Sequence, residues 1–295
     1  MRLMIAFTRT LIREPKRVAR LSRTFSQSLS AVDLAEPLLS LDDSQSVMAG
    51  ADLLRAHGIG VLGVRRAGAM AGWVRLDDLG GSGTLGDCLH EFQEREVFSD
   101  HTGLVAILSA LSGTEPVFLE WLGEITAVIT RRDLQKPPLR MWLFGAITIL
   151  DTNMSWAIEE LYPGDSWQDQ ISKGRWEKAS ALHTERQRRG TDCRRVDCLQ
   201  IKDKADILAC EPACLTLLGL ASRREMERFT RDVEKLRNHL AHAQLLEPGD
   251  LATAGRLASF IDAILSAGIT KQLVELQRQG GPSGPSTRDG VRATR

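Results

Sequence analysis

An internal repeat constrains this chain more than any other feature. VMAGADLLRAHG (47–58) leads into GVLGVRRAGAMAGWVRLDDL (60–79), and TGLVAILSALSG (102–113) into EPVFLEWLGEITAVITRRDL (115–134). The copies close at Leu79 and Leu134, 55 residues apart. A stretch that recurs in this form is one supersecondary unit used twice, each copy covering the other's apolar face. Each copy reads as a helix of about eleven residues, an apolar strand, a turn and a second strand. Ala67-Gly68 and Leu122-Gly123 supply the hairpin turns, glycine accepting the positive φ such turns need. Each second strand is expected to end in a short acid-capped helix, with Asp78 in one copy and Asp133 in the other.

The pattern changes at Lys136-Pro137-Pro138. Strand-like and helical runs alternate before it, and helix dominates after it. A double proline interrupts a continuous helix, because the residue before each proline is pushed out of the α region. The domain boundary is placed there. Helices are expected over 139–161, 166–189, 204–210, 222–245 and 250–267, with a stop at Tyr162-Pro163-Gly164 and a capping box from Ser222 to Glu225. The expected fold class is α+β, in two parts. Residues 1–30, with seven Lys or Arg against Glu14 alone, read as a basic flexible arm. Residues 277–295, rich in Gly, Pro and Ser, read as a disordered tail.

Composition narrows the function. With 38 Lys+Arg against 38 Asp+Glu, the chain has no general basic coat for nucleic acid, and any such contact needs a local patch. Five cysteines, an odd number, argue against a secreted disulfide framework. The longest apolar run, MWLFGAITIL (141–150), falls well short of the ~20 residues of a membrane span. A soluble, cytoplasmic protein without membrane contact is expected.

The paired β-α-β-β-α units over 31–136 resemble the cystathionine-β-synthase (CBS) domain pair, or Bateman module, most specifically through ITAVITRRDL (125–134). The resemblance implies a regulatory adenine nucleotide, AMP, ATP or similar, with its phosphate at Thr130 and its ribose hydroxyls at Asp133. A carboxylate only accepts hydrogen bonds and suits a vicinal diol. A hydroxyl beside a helix N-terminus suits an anion. The same two residues also suit a plain helix cap, and the residues alone leave both readings open. WVRLDDL (73–79) keeps Asp78 but puts Arg75 where the hydroxyl residue should stand. Arg75 can instead fork a phosphate, so one asymmetric ligand site is expected.

The segment SRREMERFTRDVEKLRNHLAHAQLL (222–246) carries the other signal. At ~100° per residue, Met226, Phe229, Val233, Leu236, Leu240 and Ala243 share one core face. Arg224, Arg231, Asn238 and His242 lie opposite, with Arg237 flanking them and His239 read as solvated at the edge. RNHLAH (237–242) matches the Arg-x4-His motif of HEPN helical domains, and the resemblance covers 138–270. It implies a metal-independent ribonuclease with Arg237 and His242 catalytic and Asn238 supporting. RNA carries its own 2′-hydroxyl nucleophile, so a proton-transferring imidazole and a charge-stabilising guanidinium suffice. Arg237 and His242 sit roughly 140° apart around one helix, so a shared site favours a homodimer facing RNA.

Cys193, Cys198, Cys210 and Cys214 near His183 are too loosely spaced for zinc, so neither metal nor required cofactor is expected. The charged run 183–195 reads as a solvated helix end and loop, and Trp156, Trp167 and Trp176 as packing residues. Two readings stand beside the regulated ribonuclease: a non-catalytic nucleotide sensor whose bundle binds a partner, and a dimerisation scaffold.

Overall fold

A computed structural model describes residues 29–113 and 115–267; the expected basic arm up to residue 28 and the expected tail over 277–295 lie outside them. The repeat is visible as structure. Its first copy comprises β1 (Glu36–Pro37), β2 (Ser40–Asp42), α1 (Val47–His57), β3 (Val61–Arg66) and β4 (Ala69–Arg75). The second comprises β5 (Val97–Ser99), α2 (Leu104–Gly113), β6 (Val117–Trp121) and β7 (Glu124–Ile129). In place of the expected closing helices, each copy ends in a 3-10 turn, Leu76–Asp78 and Arg131–Gln135.

Local chemistry explains these elements. Ser46 Oγ accepts from the Ala49 amide at 3.1 Å to open α1, and Gly58 closes it in the left-handed region. Ala67 and Gly68 have φ of 53° and 85°, Leu122 and Gly123 of 52° and 84°. Positive φ at both turn residues is the type I′ hairpin, whose twist matches that of the strands it joins.

The sheets interlock by exchange. β2 pairs parallel with β3, and β5 parallel with β6, inside their own copies. β1, however, joins β7 of the other copy, with Glu36 opposite Val128 and Pro37 opposite Ala127. Reciprocally, His90, which leads into the second copy, bridges Trp73 on β4 through two backbone hydrogen bonds of 2.9 Å. Each repeat thus lends its leading segment to its twin's outer edge, which would otherwise present unpaired backbone.

Packing follows the same plan. Val47, Ala51 and Leu54 of α1 cover Leu62, Val64 and Val74 of the first sheet. A second cluster mixes the copies: Val61 and Trp73 meet Phe118 and Val128. Each such side chain contributes about 1.5–3 kcal/mol on burial, so this shared cluster holds the copies together.

Beyond the prolines come α3 (Pro137–Leu161), α4 (Lys173–Arg188), α5 (Ile201–Leu208), α6 (Pro212–Leu217), α7 (Arg223–Ala241) and α8 (Pro248–Ala267). The chain is therefore mixed α+β, with a helical C-terminal part. The expected helix 166–189 is divided into a 3-10 stretch ending at Gln170 and α4, because Ile171 and Ser172 are extended. α6 was not expected; Pro212 starts it, at the position where a missing amide costs nothing. The expected helix 222–245 ends four residues early, since Ala243 adopts a φ of 52°. That leaves Ala243 exposed instead of on the core face.

The described residues divide into two compact units, one of those up to Thr152 with Arg228–Ser266, the other of Asn153–Glu227 with Ala267. In the first unit, Phe229 of α7 stacks on Phe260 of α8 at 4.6 Å, beside buried Val233, Leu236, Leu257 and Ile261. In the second, Trp167 is buried edge-on to Trp176. Arg194 there sits between Glu159 (2.5 Å) and Asp197 (2.6 Å), and Arg188 and Arg189 both hold Glu185, so arginines of the charged run pair with acids both inside and outside it. No helix among the described residues is long and apolar enough to cross a membrane.

Candidate functional site

Both acid-bearing turns are built alike and finished differently. In the first repeat, β4 delivers Arg75 and the turn returns Asp78, whose Oδ2 accepts from the Arg75 amide at 2.7 Å. His90 Nε2 donates to the same oxygen at 2.9 Å. Asp78 Oδ1 has no hydrogen bond among the described residues. A pocket of about 580 Å³ opens beside it, lined by Trp73, Arg75, Leu89, His90, Glu91, Phe92, Gln93 and Glu96. Asp78 itself belongs to the lining, so three of these residues close the first repeat and six come from the segment leading into the second. The Arg75 guanidinium lies over the Trp73 ring, 4.9 Å from its centre, and donates to the backbone carbonyl of Glu115. Trp73 Nε1 is buried without a hydrogen-bond partner among the described residues.

In the second repeat, Asp133 Oδ2 accepts from the Thr130 amide and hydroxyl, both at 2.8 Å. Its Oδ1 meets the Lys136 ammonium at 3.0 Å, and that ammonium also reaches Glu36 at 2.6 Å and the Leu34 carbonyl at 2.5 Å. Both Asp133 oxygens are engaged, and the residue is only 7% exposed. Burial by itself lowers the Lys136 pKa, but hydrogen bonds to Glu36 and Asp133 outweigh it and hold the ammonium above its ordinary value.

The T-x-x-D spacing also works elsewhere as a cap. Asp33 accepts from the Ser30 amide and Asp87 from the Thr84 amide and hydroxyl, with the same geometry. Spacing alone is therefore a capping device. What sets Asp78 apart is an open pocket; what sets Asp133 apart is a lysine in front of it.

The Arg-x4-His residues lie at the end of α7. Arg237 is half-buried and donates to Asn238 Oδ1 at 3.2 Å. His242 is exposed, one residue beyond the helix, its amide still bonded to the Asn238 carbonyl at 3.0 Å. His239 is not solvated as expected: its side chain is 14% exposed and its Nδ1 meets Asp250 Oδ2 at 2.7 Å. That carboxylate also caps α8 by accepting from the Glu247 amide. Two further side chains fix this corner. Arg140 donates to the carbonyls of His239 (3.1 Å) and Gln244 (2.9 Å). Gln135 pairs with the Leu246 backbone in both directions, at 3.0 and 2.9 Å.

The cysteines are free thiols, and His183 Nε2 meets the Cys193 carbonyl rather than a sulfur. Burial pushes the Cys214 thiol up to about 12, away from the thiolate that would bind a metal or react. Among the described residues, no group of three or more His, Cys, Asp or Glu is placed to hold a metal ion.

No protein-family model and no curated protein matches the sequence. Solved structures do show likeness. An uncharacterized conserved protein from Pyrococcus horikoshii is 18% identical, over 37% of this chain and 90% of its own, with a TM-score of 0.34. CBSX2 in complex with AMP is 19% identical, over 38% of this chain and 97% of its own, with a TM-score of 0.33. The CBS domains of a transcriptional regulator from Streptococcus pneumoniae are 19% identical, over 36% of this chain and 96% of their own, with a TM-score of 0.32.

Trp73, His90, Lys136 and Gln135 escaped the sequence reading. For His90 a signal existed: shifted by the repeat length it falls on Ala35, beside the leading strand of the first copy.

Proposed function

We propose that residues 31–136 form a CBS-type module that senses an adenine nucleotide, with the ligand in the pocket beside Asp78. The observation that carries this reading is the contrast between equivalent carboxylates. Asp78 lines an open pocket beside a guanidinium and has one oxygen without a hydrogen bond among the described residues, while Asp133 has both oxygens occupied. In the bound state Asp78 accepts from the ribose hydroxyls, Arg75 forks the phosphate, and the His90–Phe92 segment flanks the base. Thr130 and Asp133 form the second, equivalent position, which accepts a ligand only once Lys136 withdraws.

The output is assigned to the end of α7. There Arg237, Asn238 and His242 would serve metal-independent RNA cleavage, completed by a second copy of the chain. Exposure of His242 and the contact of Arg237 with Asn238 support this assignment, as does the motif. Calorimetry with AMP tests the first half: wild type and Asp133→Ala bind alike, and Asp78→Ala shows no heat. Equal heats from Asp78→Ala and wild type reject the pocket. Labelled RNA incubated in chelator with wild type and His242→Ala tests the second. Loss of cleavage in the variant supports it; no cleavage by wild type, with or without AMP, leaves the molecule a sensor.

A further inference from the structure

The pocket and the His242 turn are joined by a series of polar contacts linked by short stretches of backbone. Arg75, on the pocket wall, donates to the Glu115 carbonyl. The Glu115 carboxylate holds Arg131 twice, through its amide (3.0 Å) and its guanidinium (3.0 Å). Arg131 opens the turn Arg131–Gln135, whose last side chain grips the Leu246 backbone from both sides. Leu246 is buried and lies four residues beyond His242. The His242 turn is also flanked by the contact of His239 with Asp250.

We infer that Arg75 is the trigger of this series: an anionic ligand group draws its guanidinium from the Glu115 carbonyl and thereby loosens the grip of Gln135 on the His242 turn. The inference rests on the pocket beside Asp78 being the ligand site and adds how occupancy is transmitted. The chemistry of the trigger is a competition between acceptors. A carbonyl offers Arg75 a neutral partner at an exposed site, whereas a phosphate offers a charge-assisted, bidentate one. The ligand has a differential interaction with the two Arg75 positions, which any population shift requires. Lys136 fixes the far end of the turn to Glu36 and to the Leu34 carbonyl, so motion entering at Arg131 is passed to Gln135 instead of being absorbed. The second repeat's turn, closed to ligand, acts as a strut.

Hydrogen exchange of the Leu246 amide reads the series directly, since that amide donates to Gln135. Four ligand-free proteins come first. Gln135→Ala sets the rate of full release. Arg75→Ala and Arg75→Thr raise exchange about tenfold over wild type, and Arg66→Ala, which breaks a surface pair with Asp43 outside the series, leaves it unchanged. Both Arg75 variants matching wild type overturns the inference, whatever the ligand turns out to be. AMP and adenosine are then added to wild type. Faster exchange with AMP but not adenosine supports the phosphate trigger, and equal effects overturn it. Absence of calorimetric heat with AMP rejects the nucleotide site instead, while the ligand-free proteins still judge the wiring.

Discussion

The two repeats share a backbone plan and diverge in what stands before an equivalent aspartate. In the first, Asp78 meets a histidine, an arginine over a tryptophan, and open space. In the second, Asp133 meets a threonine and a lysine and is closed. Duplication supplies two copies of one turn. Arg75 in one turn where the other has Thr130, and Lys136 after the other, are the differences that accompany an open copy and a closed one.

The largest effect that can break this contrast is on stability. Asp133→Ala takes one carboxylate from a partly buried ammonium that keeps Glu36, leaves the Thr130 amide and hydroxyl without their acceptor, and costs about 2–4 kcal/mol. Asp78→Ala loses mainly a cap, about 1 kcal/mol. Urea denaturation of both proteins measures the difference, and equal costs would erase the distinction. Next comes the exchanged edge. A Cβ at Gly72 would stand 2.2 Å from the His90 carbonyl, whereas Ala127, at the equivalent position, already carries a Cβ opposite Pro37. Gly72→Ala therefore costs about 1–3 kcal/mol by overpacking and pushes His90 out of the pocket wall, whereas Ala127→Gly does not disturb the second edge. Thermal melts with a fluorescence scan of Trp73 check this.

A smaller effect concerns the ligand. Arg75→Thr gives the first turn the residue type of the second and weakens AMP binding about tenfold, leaving adenosine unaffected. Calorimetry separates the two. The smallest is a pH effect on Lys136. Its pKa is raised in the folded state, so its contribution is fully present below the unfolded value of ~10.4 and fades as pH rises through the higher folded value. The stability gap between wild type and Lys136→Met should hold from pH 7 to 10 and narrow above pH 11, as urea titrations at each pH will show.

What was legible in the sequence was what is local. Ala67-Gly68 and Leu122-Gly123 announced their turns because positive φ has a residue signature. α1 and α2 followed from apolar spacing. The exchange of leading segments was invisible, since nothing near Pro37 says that its partner is Ala127. Helix α7 was read too long because no glycine or proline stands between Ala241 and Pro248 to mark its end. His239 was misplaced for a related reason. Helix arithmetic put it at a polar edge, and its buried partner Asp250 comes from the next helix, past a turn the arithmetic did not contain. Thr130 and Asp133 were legible as a pair, but a cap and a ligand site look identical until Lys136 is seen beside them.

The exchange of leading strands has a consequence for anyone dissecting the molecule. A fragment stopped after Leu79 would keep α1 and its hairpin yet strip β4 of the segment containing His90, and it would carry β1 with no β7 to receive it. Such a half would expose two bare edges and seek a second half elsewhere, most readily in another copy of itself. The smallest piece worth expressing therefore runs through both repeats without a cut, and a nick between them should yield swapped pairs before it yields monomers.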